Sequence, residues 1–437
     1  MKVCVQGLWH LGSVTAACLT SVGHEVSGLD SDPGAIANLS QGKAPLFEPG
    51  LDDLISIGLA NSKLNFYTDP LQAAANAEVL WVTFDTPVNE EDEADIDFVQ
   101  AQIQEVLPFL AKNTVVLVSS QMPVGSIKRL EAYAKNCFPE KYISFACSPE
   151  NLRLGKALDV FLKPDRIVVG VRTESDKRIL QQLLSPITDK IEWMSVESAE
   201  MTKHAINAFL AISVTFANEI ASICELVGAD AKEVERGLKT ESRIGSKAYL
   251  SPGGPFAGGT LARDIAFLGI ESKAHQLLIP LLSAVRPSND EHKNWTRRSL
   301  LKYLGGLSGA VVAIWGLTYK PGTDTLRRSL AVELCDWLIE QGAIVKVYDP
   351  AVKNMPERWG GKVVPCANPM QAIDGANALV VGTEWSEFKE AAEGLNNGGE
   401  VDLVIIDANR HLAAFRSKFI NAGYKYIAVG TSVADGV

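Results

Sequence analysis

The chain has 437 residues, a formal net charge of -11, 47% hydrophobic residues and 21% charged residues, values of a folded globular chain of two or three domains. The acidic balance argues against nucleic acid or an anionic membrane as the main partner, and no window approaches the roughly 18 uninterrupted apolar residues of a membrane span. Seven scattered cysteines (Cys4, Cys18, Cys137, Cys147, Cys224, Cys335 and Cys366) lack paired metal spacing, and the opening Met-Lys-Val-Cys-Val-Gln-Gly runs directly into a strand pattern, so reduced thiols, no metal and a cytoplasmic location are expected.

Through the first third, short β-branched runs alternate with amphipathic stretches: Lys2 to Val5, Val26 to Leu29, Val79 to Thr83, Val115 to Ser119, Ile143 to Ala146 and Ile167 to Val169. Such alternation predicts right-handed βαβ units on a parallel, doubly wound sheet. From Ser198 to about Val227 the pattern becomes one long helix, apolar at Met201, Ala205, Ala208, Phe209, Ile212, Phe216 and Ile220. A helix of that kind bridges domains or forms an oligomer seam, and a homodimer through it is expected. After the polar stretch Arg286 to Arg297, alternation restarts with Gly309-Ala-Val-Val-Ala-Ile-Trp-Gly316 and continues at Ala343 to Tyr348, Ala378 to Gly382 and Leu403 to Ile406. The predicted fold is α/β: two Rossmann-like doubly wound domains, 1–197 and 301–437, joined by a long central helix and a helical middle domain, 198–300. The two nucleotide-binding-like halves are candidates for a common architecture.

Gly7-Leu-Trp-His-Leu-Gly12 follows the first strand and opens a helix, and Asp30 closes the second strand. In a dinucleotide-binding turn the first glycine permits the tight turn and the last lets helix pack on strand. The acidic residue accepts hydrogen bonds from the adenosine ribose hydroxyls and disfavours the extra phosphate of NADP, so NAD is the expected cofactor. The second glycine position, where the diphosphate approaches the backbone at the helix N-terminus, holds Trp9. Either its side chain turns away in a reshaped loop or it takes the diphosphate's place.

Further motifs follow in order: Asp85-Thr-Pro87, Ser120-Gln-Met-Pro-Val-Gly-Ser126, Ser148-Pro-Glu-Asn-Leu-Arg-Leu-Gly-Lys-Ala157 with Pro164-Asp-Arg-Ile-Val-Val-Gly170, and Glu200-Met-Thr-Lys-His-Ala-Ile-Asn207 with Phe216-Ala-Asn-Glu219. After them come Arg243-Ile-Gly-Ser246 with Tyr249-Leu-Ser-Pro-Gly253, then Pro255-Phe-Ala-Gly-Gly-Thr-Leu-Ala-Arg-Asp-Ile265. The last are Gly316-Leu-Thr-Tyr-Lys-Pro-Gly-Thr-Asp-Thr-Leu-Arg-Arg-Ser329, Tyr348-Asp-Pro350 and Thr383-Glu-Trp385. Lys203 and Asn207, four residues apart, project from one helical face. In content and order these segments resemble the UDP-glucose/GDP-mannose dehydrogenase family, whose members oxidise a sugar alcohol to a carboxylate with two NAD molecules.

The resemblance implies cofactor contacts at Gly7, Gly12, Asp30, Thr86, Gln121 (a threonine in the family), Arg263 (a lysine in the family) and Arg327. It implies substrate contacts at Arg243, which often reaches across a dimer, and at Tyr249 and Lys320. Lys203 and Asn207 would hold a water or the oxyanion at the reacting sugar carbon, and Asp264 would act with a bound water as general base. Glu150 is retained from the family pattern, but the second glutamate, associated with thioester hydrolysis, falls on Leu154, and the cysteine nucleophile falls on Thr260. A threonine hydroxyl is a far weaker nucleophile than a thiolate, and Thr260 reads better as a helix-capping or packing residue. Cys147 is a spatial substitute to be tested. The expected activity is an NAD-dependent oxidation of a nucleotide sugar, a UDP-sugar, stopping at the alcohol/aldehyde step. The competing readings are a silent nucleotide-sugar-binding or regulatory homologue and an internal-redox epimerase that holds NAD tightly.

Overall fold

A computed structural model describes residues 1–87, 94–150, 152–257, 259–395 and 403–431, and the chain divides into two compact units, Met1–Ile206 and Asn207–Val437. Asn151 of the Ser-Pro-Glu-Asn run and Gly258 of the Gly-Gly turn lie outside the described residues.

The first unit is built on the strands β1 (Lys2–Gln6), β2 (Glu25–Leu29), β3 (Leu64–Tyr67), β4 (Val79–Val82), β5 (Val115–Val118), β6 (Ser144–Cys147), β7 (Ile167–Gly170) and β8 (Ile191–Met194). They form one sheet in the order β3-β2-β1-β4-β5-β6-β7-β8. Its pairings are parallel except at β6 and β7, which meet antiparallel at Cys147 and Gly170. Every residue of β4 (Val-Leu-Trp-Val) and β5 (Val-Val-Leu-Val) is buried, as in strands covered by helices on both faces. Each such side chain contributes roughly 1.5–3 kcal/mol on burial. The helix His10–Ser21 crosses this sheet with every residue from Leu11 to Thr20 buried, which its run of small side chains (Gly12, Ser13, Ala16, Ala17, Cys18) permits.

In the second unit, β9 (Val311–Trp315), β10 (Ile344–Tyr348), β11 (Val363–Pro365), β12 (Ala378–Val381), β13 (Val404–Ile406) and β14 (Lys425–Ile427) form a parallel sheet in the order β11-β10-β9-β12-β13-β14. This repeats the succession of the first six strands of the other sheet. The expected common architecture is present, down to the turn after the first strand of each. Gly7 has φ +89° and Gly316 φ +91°. The N–H of Gly7 donates to the carbonyl of Leu29 at 2.9 Å, and that of Gly316 to the carbonyl of Tyr348 at 2.8 Å.

Between the sheets in sequence lie the helices Val196–Val227, Ala231–Thr240, Thr260–Ala274 and Pro280–Leu304. The polar stretch Arg286 to Arg297 is therefore helical, with Pro287 inside the helix. The 32-residue helix Val196–Val227 begins two residues before the expected start and is long and apolar enough, with a mean hydropathy of 1.5, to cross a membrane by length and composition.

Candidate active site

In the first unit the turn after β1 has the geometry a dinucleotide needs. A Cβ on Gly7 would lie 2.6 Å from the Phe84 ring, and one on Gly12 would lie 1.9 Å from the Gly7 carbonyl oxygen, so neither position has room for a side chain. The Thr83 hydroxyl fixes the same turn by donating to the carbonyls of Gln6 and Gly7, each at 2.9 Å. Asp30 accepts the Leu8 N–H at 2.7 Å on one oxygen and the Asp32 N–H at 3.0 Å on the other. Each oxygen retains a lone pair for a ribose hydroxyl.

Trp9 is the residue before the first helical turn, with φ -68°, a value that needs no glycine, and no side chain caps the amides that follow. Its indole is 52% exposed. The uncapped helix N-terminus fits a diphosphate. These residues fit NAD.

The second unit carries the same turn but not the same opening. Asp349, the counterpart of Asp30, is buried and accepts the N–H groups of Leu317 (2.7 Å) and Thr318 (3.0 Å), the Thr318 hydroxyl (3.1 Å) and the Trp385 indole N–H (3.2 Å) on one oxygen. Its other oxygen takes the Ala351 N–H at 2.9 Å. With its carboxylate committed to the fold, Asp349 is a structural residue; the two matched motifs Tyr348-Asp-Pro350 and Thr383-Glu-Trp385 meet at it.

At the C-terminal ends of β4 and β5, where parallel sheets take ligands, the Thr86 hydroxyl donates to the Gln121 carbonyl at 2.6 Å. Beyond β6 the Glu150 carboxylate accepts the Leu152 N–H at 2.6 Å, and the Glu150 carbonyl accepts the Lys203 ammonium at 2.7 Å. Leu154 is exposed. Cys147 is buried at the end of β6, and burial, with the Glu200 charge adding to it, pushes its thiol far above the ordinary range. A thiol held that way is a poor nucleophile. Glu200 itself, which no motif role was assigned, accepts the amides of Gly125 (2.8 Å) and Ile127 (3.1 Å), and burial raises its pKa. It caps the helix Ser126–Cys137 at the Pro-Val-Gly-Ser loop.

In the second unit the Asn207 amide donates a hydrogen bond to the Asp264 carboxylate, and Asp264 is fully buried. Thr260 is the first residue of the helix Thr260–Ala274 and is exposed, while Gly259 (φ 102°) holds the capping position. This corrects the expectation that Thr260 caps or packs: the hydroxyl stands one residue past the cap. A Cβ on Gly259 would come within 3.3 Å of the Arg328 guanidinium. Arg328 has an unusual φ of 62°, which places a strained arginine beside the turn. Arg263 is half-buried, and its N–H donates to the Gly259 carbonyl at 2.9 Å. Arg243, Tyr249, Lys320 and Arg327 are exposed, and the Arg243 guanidinium donates to Glu241 at 3.0 Å.

The segment leading to Thr260 is held by four side chains that the motifs did not single out for a role. Asn218 accepts the Gly253 N–H at 3.0 Å and donates to the Gly254 carbonyl at 3.3 Å. Asn289 accepts from Phe256 N–H at 2.9 Å and donates to its carbonyl at 2.8 Å. His292 bonds the Gly253 carbonyl at 2.8 Å, and Asn409 accepts the Gly254 N–H at 2.7 Å. A Cβ on Gly253 would lie 2.7 Å from the Asn409 side-chain oxygen, so a side chain there would push that oxygen off the Gly254 N–H.

Three family models match the chain: the NAD binding domain of the UDP-glucose/GDP-mannose dehydrogenase family over residues 1–188, its central domain over 197–291 and its UDP binding domain over 313–413. The UDP-glucose 6-dehydrogenase of Rhizobium meliloti is 35% identical over 399 residues, covering 89% of this chain and 90% of that protein. That of Pseudomonas aeruginosa is 30% identical over 444 residues, covering 98% and 97%. Among solved structures, a UDP-glucose dehydrogenase from Pyrobaculum islandicum is similar with a TM-score of 0.84 at 28% identity, over 99% of this chain and 98% of that one.

Proposed function

The chain belongs to the UDP-glucose/GDP-mannose dehydrogenase family as an NAD-dependent nucleotide-sugar dehydrogenase, and from that premise we propose that it oxidises the alcohol of a UDP-sugar and releases the aldehyde. The single observation that carries this reading is the contrast within one helix, Thr260–Ala274: a buried Asp264 paired with Asn207, and an exposed threonine at the cysteine position.

Asp264, oriented by the Asn207 amide, takes the proton of the sugar hydroxyl through a water. The Lys203 ammonium stabilises the negative charge that develops on the oxygen. NAD, when bound, supplies the hydride acceptor. Gly7, Gly12, Asp30 and Thr86, with the Gln121 loop, would form its seat in the first unit, and the family resemblance implies that Arg263 and Arg327 are further cofactor contacts. Arg243, Tyr249 and Lys320 contact the substrate. Trapping the aldehyde as a thiohemiacetal needs a thiolate, and hydrolysing the thioester that loss of a second hydride to another NAD would leave needs a base; Thr260 and Leu154 supply neither. Exchanging both residues tests this. Thr260→Cys alone should trap the sugar as a stable adduct, and Thr260→Cys with Leu154→Glu should release the acid. Acid release by the unsubstituted chain would contradict the proposal.

The exposed apolar stripe of the helix Val196–Val227, Phe209 (66%), Phe216 (43%) and Ile223 (54%), repeats every seven residues as a helix–helix seam does. This supports a homodimer through that helix, and the free state of all seven cysteines supports a cytoplasmic location. The division into 1–197, 198–300 and 301–437 remains the domain scheme we propose.

A further inference from the structure

Glu48, in the stretch between the helices Pro33–Leu39 and Leu51–Ala60, belongs to none of the motifs above, yet its side chain is wholly buried. One oxygen takes the His10 imidazole at 3.0 Å and the Gly155 N–H at 2.8 Å, and the other takes the Ala157 N–H at 2.9 Å. A carboxylate only accepts, so the His10 Nε2 carries a proton and donates. Burial alone would raise the Glu48 pKa, but the Gly155 amide, His10 and the Ala157 amide together hold it below the ordinary carboxylate range, and it is ionised. The cost of burying that charge is met by three charge-assisted hydrogen bonds.

The partners define what the carboxylate joins. His10 opens the helix at the dinucleotide turn, directly after Trp9. Gly155 (φ +83°) and Ala157 directly flank Lys156 in the loop that carries Glu150 and Leu154, and Ala157 opens the helix Ala157–Leu162. We propose that Glu48 is a positioning residue that ties the NAD-binding turn to the Glu150 loop, so that cofactor affinity and the placement of that loop are set by one side chain. This rests on the reading of the turn as the NAD seat and of the loop as part of the sugar-side machinery. It also gives His10 a role: the imidazole is the arm of the tie that reaches the cofactor turn.

The test uses two substitutions with different reach, measured on the full chain. His10→Phe removes one arm and leaves both loop amides bonded. Glu48→Gln replaces an acceptor by an NH2 group and leaves at least one donor facing a donor. In the ligand-free protein, hydrogen exchange at Gly155 and Ala157 should speed up by about tenfold or more in Glu48→Gln and stay unchanged in His10→Phe. The Kd for NAD, read by titration, should rise about three- to tenfold in each, and the double substitution should match Glu48→Gln alone. The kcat at saturation should fall in Glu48→Gln. Unchanged NAD affinity in both variants, or effects that simply add, would overturn the proposal while leaving the cofactor reading intact. An unsubstituted chain that binds no NAD would overturn both. If Glu48→Gln does not fold, an unchanged NAD Kd in His10→Phe is sufficient to reject the tie.

Discussion

Asp264 and Thr260 sit four residues apart on one helix and have opposite environments, and the chemistry we assign depends on that difference. A buried carboxylate gripped by an amide is preorganised for proton transfer, whereas an exposed hydroxyl at a helix start is not activated for attack. Asp264→Asn should therefore lower kcat by about a hundredfold or more in the NADH absorbance assay while leaving thermal stability near that of the unsubstituted chain. His292 makes a separate prediction at this scale. Burial pushes its pKa below the ordinary value, and its bond to the Gly253 carbonyl opposes that only in part. The unfolded chain then takes the proton first as pH falls, so the stabilisation by neutral His292 is complete above about pH 6.5 and is lost as pH drops through the lower folded-state value. His292→Gln should flatten that part of a Tm against pH curve; His24, shifted the same way by burial, keeps the remainder of the slope.

At the scale of elements, the interior strands were legible in the sequence and the edges were not. β3, β8, β11 and β14, the four strands that no β-branched run announced, are the outer strands of the two sheets. Leu64-Asn-Phe-Tyr and Ile191-Glu-Trp-Met mix polar and apolar residues because an edge is covered on fewer sides. The helix Pro280–Leu304 was hidden for a related reason. Its buried stripe runs Val285, Asn289, His292, Trp295, Ser299, so the helical period is carried partly by polar residues whose partners are the backbone of Gly253 and Phe256. Hydrophobic periodicity cannot register such a face. Of the site, the glycines, Asp30 and the Lys203 and Asn207 spacing were readable, because each has a local backbone or helical reason. Glu48, Glu200, Asn218 and Asn289 were not assigned roles, since their partners lie far away in sequence. Asn289→Ala should lose both bonds to Phe256, cost about 1–3 kcal/mol in denaturant unfolding, and lower kcat more than it raises the KM for NAD. The long helix makes its own prediction: Phe216→Glu should convert a dimer by light scattering into a 47.1 kDa monomer, and an unsubstituted chain already monomeric would contradict the seam.

For the whole molecule, the two sheets share one strand succession and one turn, yet only one turn presents an available carboxylate. Asp30 has two amide donors, whereas Asp349 has five donor contacts and is closed off. The same architecture is thus a cofactor seat in the first unit and a self-satisfied scaffold at the equivalent place in the second. On the chemistry proposed above, this chain removes one hydride from a nucleotide sugar and stops. The measurement that tests this most directly is the number of NADH formed per UDP-glucose consumed, with the product identified by mass. One NADH per sugar with the aldehyde as product is the predicted result; two NADH per sugar with UDP-glucuronate as product would contradict it and return Thr260 to the role of a competent nucleophile or show that none is needed.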